Sequence, residues 1–195
     1  VRDNIDIKVE PRISNGKTQI LNFLKSHKGL CGIIYTFTRK EAESTAEFLV
    51  QSGYRSKAYH AGLSNDVKNK VFEDFVYEKI DIVVATIAFG MGIDKSNIRF
   101  VIHTSLPKTL ENYYQEIGRA GRDGEMSYVY MLYSKSDEVK RKIQIEEAID
   151  NSYKQTGLEK LEFMYRYCLS NNCRHKLIAG YFEDEIEECK TLCDN

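Results

Sequence analysis

The sequence predicts an α/β fold: a doubly wound parallel sheet with helices on both faces. Three observations predict it. Short β-branched runs are apolar on both faces, segments with helical spacing lie between them, and the two kinds alternate over the first 134 residues.

The elements follow in order. Ile5 to Val9 alternates like a half-buried strand, and Lys17 to His27 carries Ile20, Leu21, Phe23 and Leu24 at helical spacing. Gly32 to Thr36 is a β-branched run, and Lys40 to Ser52 sets Ala42, Ala46, Leu49 and Val50 on one helical face. Strands at Lys57 to His60, Ile82 to Ala85, Phe100 to His103 and Tyr128 to Tyr133 continue the pattern, with helices from Ser64 to Phe75 and from Thr109. The composition then shifts. Ser136 to Ile149 reads as a charged amphipathic helix, Asn151-Ser152 and Gly157 as punctuation, and Leu158 to Leu169 and Arg174 to Phe182 as two short helices. The division is therefore 1–134 for the α/β unit and 135–195 for a small helical unit, whose thin apolar content calls for a staple such as a metal.

Composition narrows the class. Of 195 residues, 42% are hydrophobic and 29% charged, and two are proline, which excludes a disordered or fibrous chain. No apolar run approaches the roughly 18–20 residues of a membrane span. The formal net charge is −1, so contact with nucleic acid has to come from a local patch. Val1-Arg2-Asp3-Asn4 has neither an initiator Met nor a signal-peptide stretch and reads as a cut inside a longer chain. Of five cysteines, Cys31 stands alone while Cys168, Cys173, Cys189 and Cys193 crowd the C-terminal end. Without a secretion signal, an odd count with such clustering points to a reducing compartment and to metal binding.

The strongest motif is Tyr113-Tyr114-Gln115-Glu116-Ile117-Gly118-Arg119-Ala120-Gly121-Arg122-Asp123-Gly124. Two arginines three apart among small residues can leave a helix end and project planar guanidinium forks onto phosphate oxygens. Arginines at a helix C-terminus also complement the dipole, but that does not account for the whole string. Upstream, the strand at Ile82 to Ala85 opens through Thr86 into a Gly-rich loop closing on Asp94. Open α/β sheets bind ligands at such strand ends, so Thr86 could hold a phosphate and Asp94 a ribose hydroxyl; a tight β–α connection is the plainer alternative.

These strings, with Ile33 to Arg39, Ala58 to Leu63, Phe100 to His103 and Leu106-Pro107-Lys108, resemble the second motor lobe of the RecQ family of DNA helicases. Tyr167-Cys168, Cys173-Arg174, Tyr181-Phe182-Glu183 and the last cysteines resemble that family's zinc-binding segment. The resemblance implies a RecA-like lobe over 1–134 and a helical zinc-binding subdomain over 135–195. It makes Arg122 the arginine finger and Arg119 its companion at the γ-phosphate held by the other lobe. Gln115 and Asp94 would link nucleotide state to closure. Thr38, Arg39, Lys40, Thr86 and His60, with Lys17 and the Lys140-Arg141-Lys142 cluster, would track a DNA backbone. His60 reads equally well as a structural hydrogen-bonder.

Such a motor needs a Gly-x-x-x-x-Gly-Lys-Ser/Thr loop to cradle phosphates. Gly16-Lys17-Thr18 mimics its end, but Pro11 stands at the first Gly, so the segment reads as a helix start. The nucleotide-binding RecA-like lobe is then expected N-terminal to Val1, and this piece alone should not hydrolyse ATP. For the metal, spacing offers four thiolates, enough for a closed tetrahedral site. The family pattern instead takes Cys173, Cys189 and Cys193, with the fourth ligand just past Asn195 or supplied by Cys168; His175 is a weaker candidate.

The implied whole is an intracellular, 3′-to-5′, ATP- and magnesium-dependent DNA helicase of recombination and repair, in a bacterial cytoplasm or a eukaryotic nucleus. It would hold structural zinc and engage single-stranded DNA and a duplex junction, with no membrane partner. Two alternatives stand beside it: a non-catalytic nucleic-acid-binding fragment, and a DNA-stimulated translocase that does not unwind.

Overall fold

A computed structural model describes residues 2–86, 89, 95–147 and 151–195. Among the described residues six strands form one sheet: β1 (Ile5–Pro11), β2 (Gly32–Tyr35), β3 (Ser56–Tyr59), β4 (Ile82–Ala85), β5 (Phe100–His103) and β6 (Ser127–Tyr133). Their order is β1-β6-β5-β2-β4-β3, and every described pairing is parallel. The helices are α1 (Lys17–Ser26), α2 (Arg39–Gln51), α3 (Asn65–Val76), α4 (Leu110–Ile117), α5 (Lys135–Glu146), α6 (Asn151–Leu169) and α7 (Arg174–Tyr181).

Local chemistry sets the helix starts. Thr38 Oγ1 accepts the Glu41 N–H at 3.1 Å while the Glu41 carboxylate accepts the Thr38 N–H at 3.0 Å, a reciprocal box that opens α2. Ser134 and Asp137 form the same box at α5, and Ser64 and Thr109 cap α3 and α4.

Alternation along the strands splits the core in two. Ile34, Val84, Phe100, Ile102, Tyr130 and Leu132 pack under α1 and α2. Ile7, Ile33, Val83, Val101 and Met131 face the other way, against α3 and α4. Ile145, Leu161, Met164, Tyr167 and Ile178, all beyond residue 134, join this second cluster. The helical segment thus buries its apolar face on the sheet's own core, where each such side chain contributes about 1.5–3 kcal/mol. Arg12 reinforces the joint, giving Asp137 two bonds of 2.7 and 2.9 Å and donating to Thr104 O and Ser134 Oγ.

The expected break near Gly157 is absent, because α6 runs unbroken from Asn151 to Leu169. Gly157 is instead a contact residue: a Cβ there would stand 3.1 Å from Ile145 Cγ2, so the missing side chain lets α6 lie close on α5. Lys17 is the first residue of α1, as the helix-start reading has it.

Candidate nucleotide-facing, nucleic-acid-facing and metal sites

The connections leaving β2 and β5, neighbours in the sheet, depart in opposite directions, β2 toward β3 and β5 toward β6. Their strand ends therefore border a topological switch point, where open parallel sheets bind ligands. A cavity of about 330 Å³ opens there, lined by Lys17, Phe37, Ser44, Thr104 and Lys140 among others.

Most of the residues expected to track a nucleic-acid backbone lie at this strand-end side. Thr38, Arg39 and Lys40 are exposed where β2 passes into α2. Thr86 follows β4, donating its N–H to Tyr59 O at 3.3 Å. Lys17 reaches Ser44 O at 3.4 Å and lies 4.8 Å from the Phe48 ring centre. His60 is buried, with Nε2 at 2.9 Å from Glu43 and Nδ1 accepting the Gly62 N–H at 3.2 Å. Both ring nitrogens make hydrogen bonds within the protein, the geometry of a structural hydrogen-bonder.

Lys140, Arg141 and Lys142 do not form one cluster, since consecutive helical residues point about 100° apart. Lys140 is exposed over Phe37, at 5.8 Å from its centre. Arg141 stacks on the same ring at 4.3 Å and donates through Nε to Leu106 O at 3.1 Å. Lys142 pairs with Glu138 at 2.8 Å. Burial holds the Arg141 guanidinium below its ordinary pKa against the pull of Glu116 and Asp137.

The arginine string lies in the turn after α4, at the strand-start side of the sheet. Gly121 N–H donates to Ile98 O at 2.9 Å, Asn4 Nδ2 donates to Gly121 O at 2.9 Å, and Arg2 donates to Ala120 O at 2.6 Å. Gly121 has φ +62, and a Cβ would stand 2.5 Å from Asn4 Nδ2, so this turn requires glycine. Arg99 pairs with Asp123 beside it. Gln115 and Arg122 are exposed, whereas Arg119 is half-buried and meets the Tyr35 hydroxyl. That hydroxyl donates to Phe89 O at 3.0 Å, and burial together with Glu116 pushes its pKa up despite Arg119. Tyr35 ends β2, so its side chain joins the strand-end region to the arginine turn. Asp94 lies outside the described residues.

Sequence patterning missed two ion-pairing contacts, one of them buried. His103 Nε2 lies 2.7 Å from Glu116, and Arg174 holds Asp194 at 2.9 and 3.0 Å. Each pair lies 13 or 20 residues apart, beyond the reach of helical or strand periodicity, so neither spacing nor period marks it.

The Sγ atoms of Cys173, Cys189 and Cys193 lie within 4.8 Å of one another. Cys173 to Cys189 is 3.5 Å and Cys189 to Cys193 is 3.3 Å, close to the about 3.8 Å separating two sulfurs on a tetrahedral zinc. Three soft sulfur donors at this spacing fit a structural zinc. Burial would raise the Cys173 thiol, but N–H groups of Cys189, Lys176 and His175 and the Cys189 thiol outweigh it and hold it low. Burial and the two neighbouring thiols push Cys189 up to about 12, a proton that metal binding would displace. Cys168 stands outside the cluster: it is buried, its thiol donates to Met164 O at 3.4 Å, and burial pushes its pKa up. His175 Nε2 is used on Leu192 O at 3.0 Å. Among the described residues no helix is long and apolar enough to cross a membrane.

The helicase conserved C-terminal domain matches residues 16–124, and the RecQ zinc-binding family matches residues 135–195. The chain is 39% identical over 194 residues to the ATP-dependent DNA helicase RecQ of Bacillus subtilis, covering all of this chain and 33% of that protein. It is 42% identical over 194 residues to a putative ATP-dependent RNA helicase, R290, of Acanthamoeba polyphaga mimivirus, covering 35% of it. The chain thus spans about a third of the length of these relatives. In fold it is similar to the C-terminal domain of the DEAD-box protein Dbp5, with TM-score 0.59 and 19% identity over 81% of this chain and 98% of that one.

Proposed function

The chain belongs to the RecQ helicase family as its C-terminal region, and on that premise we propose that it is the second motor lobe and zinc-binding segment of an ATP-dependent 3′-to-5′ DNA helicase of recombination and repair, acting inside the cell. The two units divide at 134/135. Arg122, exposed on a turn pinned by Arg2, Asn4 and Ile98, is the arginine finger, and Arg119 is its companion. ATP and magnesium are held by a preceding RecA-like lobe of the same protein, and Gln115 and Asp94 report nucleotide state across the cleft. Thr38, Arg39, Lys40, Thr86, Lys17 and Lys140 line the path of one DNA strand near its duplex junction, while His60 and Arg141 support that surface from beneath and Lys142 adds positive charge elsewhere on α5. Zinc on Cys173, Cys189 and Cys193 would supply structural cross-linking.

The observation that carries this reading is the pinned arginine turn, joined through Tyr35 to a strand-end surface rich in exposed donors. A finger stabilises charge on the transferring phosphoryl group, so its loss falls on kcat. In the longer protein, Arg122→Ala is expected to lower DNA-stimulated kcat for ATP about 10³-fold with little change in DNA affinity. The 195-residue chain alone is expected to bind single-stranded DNA in a salt-dependent manner without hydrolysing ATP. An unchanged kcat in Arg122→Ala would remove the finger assignment. Because one relative carries an RNA helicase name, the same assay with RNA decides which nucleic acid stimulates the ATPase.

A further inference from the structure

β1 is an edge strand of the sheet, and its odd-numbered residues turn their backbone groups away from β6. Each such position between Ile5 and Val9 meets a group from the segment after Cys173. The His175 ring reaches the Ile5 backbone. Ile7 donates its N–H to Leu192 O at 3.0 Å and accepts the Asp194 N–H at 3.1 Å. Val9 N–H donates to Asp194 Oδ2 at 3.2 Å, and Arg174 fixes that carboxylate. A parallel bridge pairs Ile7 with Cys193. These covering groups sit next to the sulfur cluster, with His175 two residues after Cys173 and Leu192 and Asp194 flanking Cys193.

An uncovered edge strand offers its free N–H and C=O groups to another strand. β1 is complementary to itself. Antiparallel pairing with Ile7 opposite Ile7 sets Ile5 opposite Val9, with the outward-facing odd residues at the hydrogen-bonded positions. The same register puts Asp6 opposite Lys8 twice, an attractive cross-strand pair on the other face.

We propose that the thiol module is a metal-dependent cover for the β1 edge, and that the metal-free chain pairs β1 with β1 of a second copy, antiparallel about Ile7. The metal's hold on Cys173, Cys189 and Cys193 keeps residues 192–194 in place, and their release frees the Ile7 and Val9 amides. This holds whether or not the lobe works in a motor.

Amide hydrogen exchange and light scattering on the 195-residue chain, zinc-loaded and chelator-stripped, test it. The loaded chain is expected to be monomeric with the Ile7 and Val9 amides protected. The stripped chain is expected to lose about 100-fold protection at both when dilute and to dimerise as concentration rises. Lys8→Glu, which sets Glu opposite Asp6, is expected to weaken that dimer about tenfold, and adding Asp6→Lys to restore it. Three results would overturn the proposal. The stripped chain could stay monomeric with both amides protected, or its dimer could be indifferent to Lys8→Glu. Alternatively, Ile33 and Ile34 in β2 could lose protection equally, which would mean that the metal holds the whole fold.

Discussion

Glu116 lies 2.7 Å from His103 through Oε2 and Nε2, a buried pair that fastens α4 to the end of β5. The His103 ring stacks on Tyr35 at 5.3 Å and meets Tyr113 edge-on at 5.1 Å. Glu116 directly follows Gln115 and precedes Arg119 by three residues, so the pair fixes the rotation of α4 from which the arginine string leaves. Glu116→Ala strands a buried imidazole and is expected to cost about 2–4 kcal/mol. Glu116→Gln, which keeps a hydrogen-bonding group there, is expected to cost less than half as much. Urea denaturation midpoints check both, and equal losses would mean that packing rather than the pair holds α4.

Acid stability depends on the tie between α4 and α6. Burial would raise the pKa of Glu111, but hydrogen bonds from Lys160 and neighbouring groups outweigh it and hold it to about 2. An unfolded Glu titrates near about 4.3. A depressed folded value stabilises fully above the unfolded one, and the contribution disappears as pH falls toward 2. With allowance for partial exposure the effect is about 1–2 kcal/mol. Glu111→Gln is therefore expected to be less stable at pH 7 and to show a flatter stability profile between pH 5 and pH 2, measured by thermal melts across that range.

The cysteines separate by role. Cys173→Ser is expected to abolish stoichiometric zinc binding, because it removes one of three sulfurs that meet. Cys168→Ala is expected to leave zinc content unchanged and to lower stability by about 1–2 kcal/mol, since it empties a buried site against Met164. Metal analysis with thiol titration, followed by chemical denaturation, distinguishes the two. Loss of zinc in Cys168→Ala would return that thiol to the ligand set.

The sequence by itself determined the alternating α/β architecture and the family. Runs such as Ile82 to Ala85 are apolar on both faces, and the Gln115 to Arg122 string needs its residue types at fixed spacing, so both are legible in one dimension. The helix start at Lys17 was legible too, because Pro11 breaks the phosphate-loop pattern. The break near Gly157 was misread: a glycine in a helical segment looks like an end until the close approach of Ile145 is known. Only the tertiary structure decided that Cys168 stands apart from the other three thiols, how Lys140, Arg141 and Lys142 divide their partners, and that residues 192–194 close the β1 edge. The physical reason is range. Hydrophobic period and turn chemistry act between residues a few positions apart, whereas Asp194 meets Val9 and Arg12 meets Asp137 only after the chain has closed on itself.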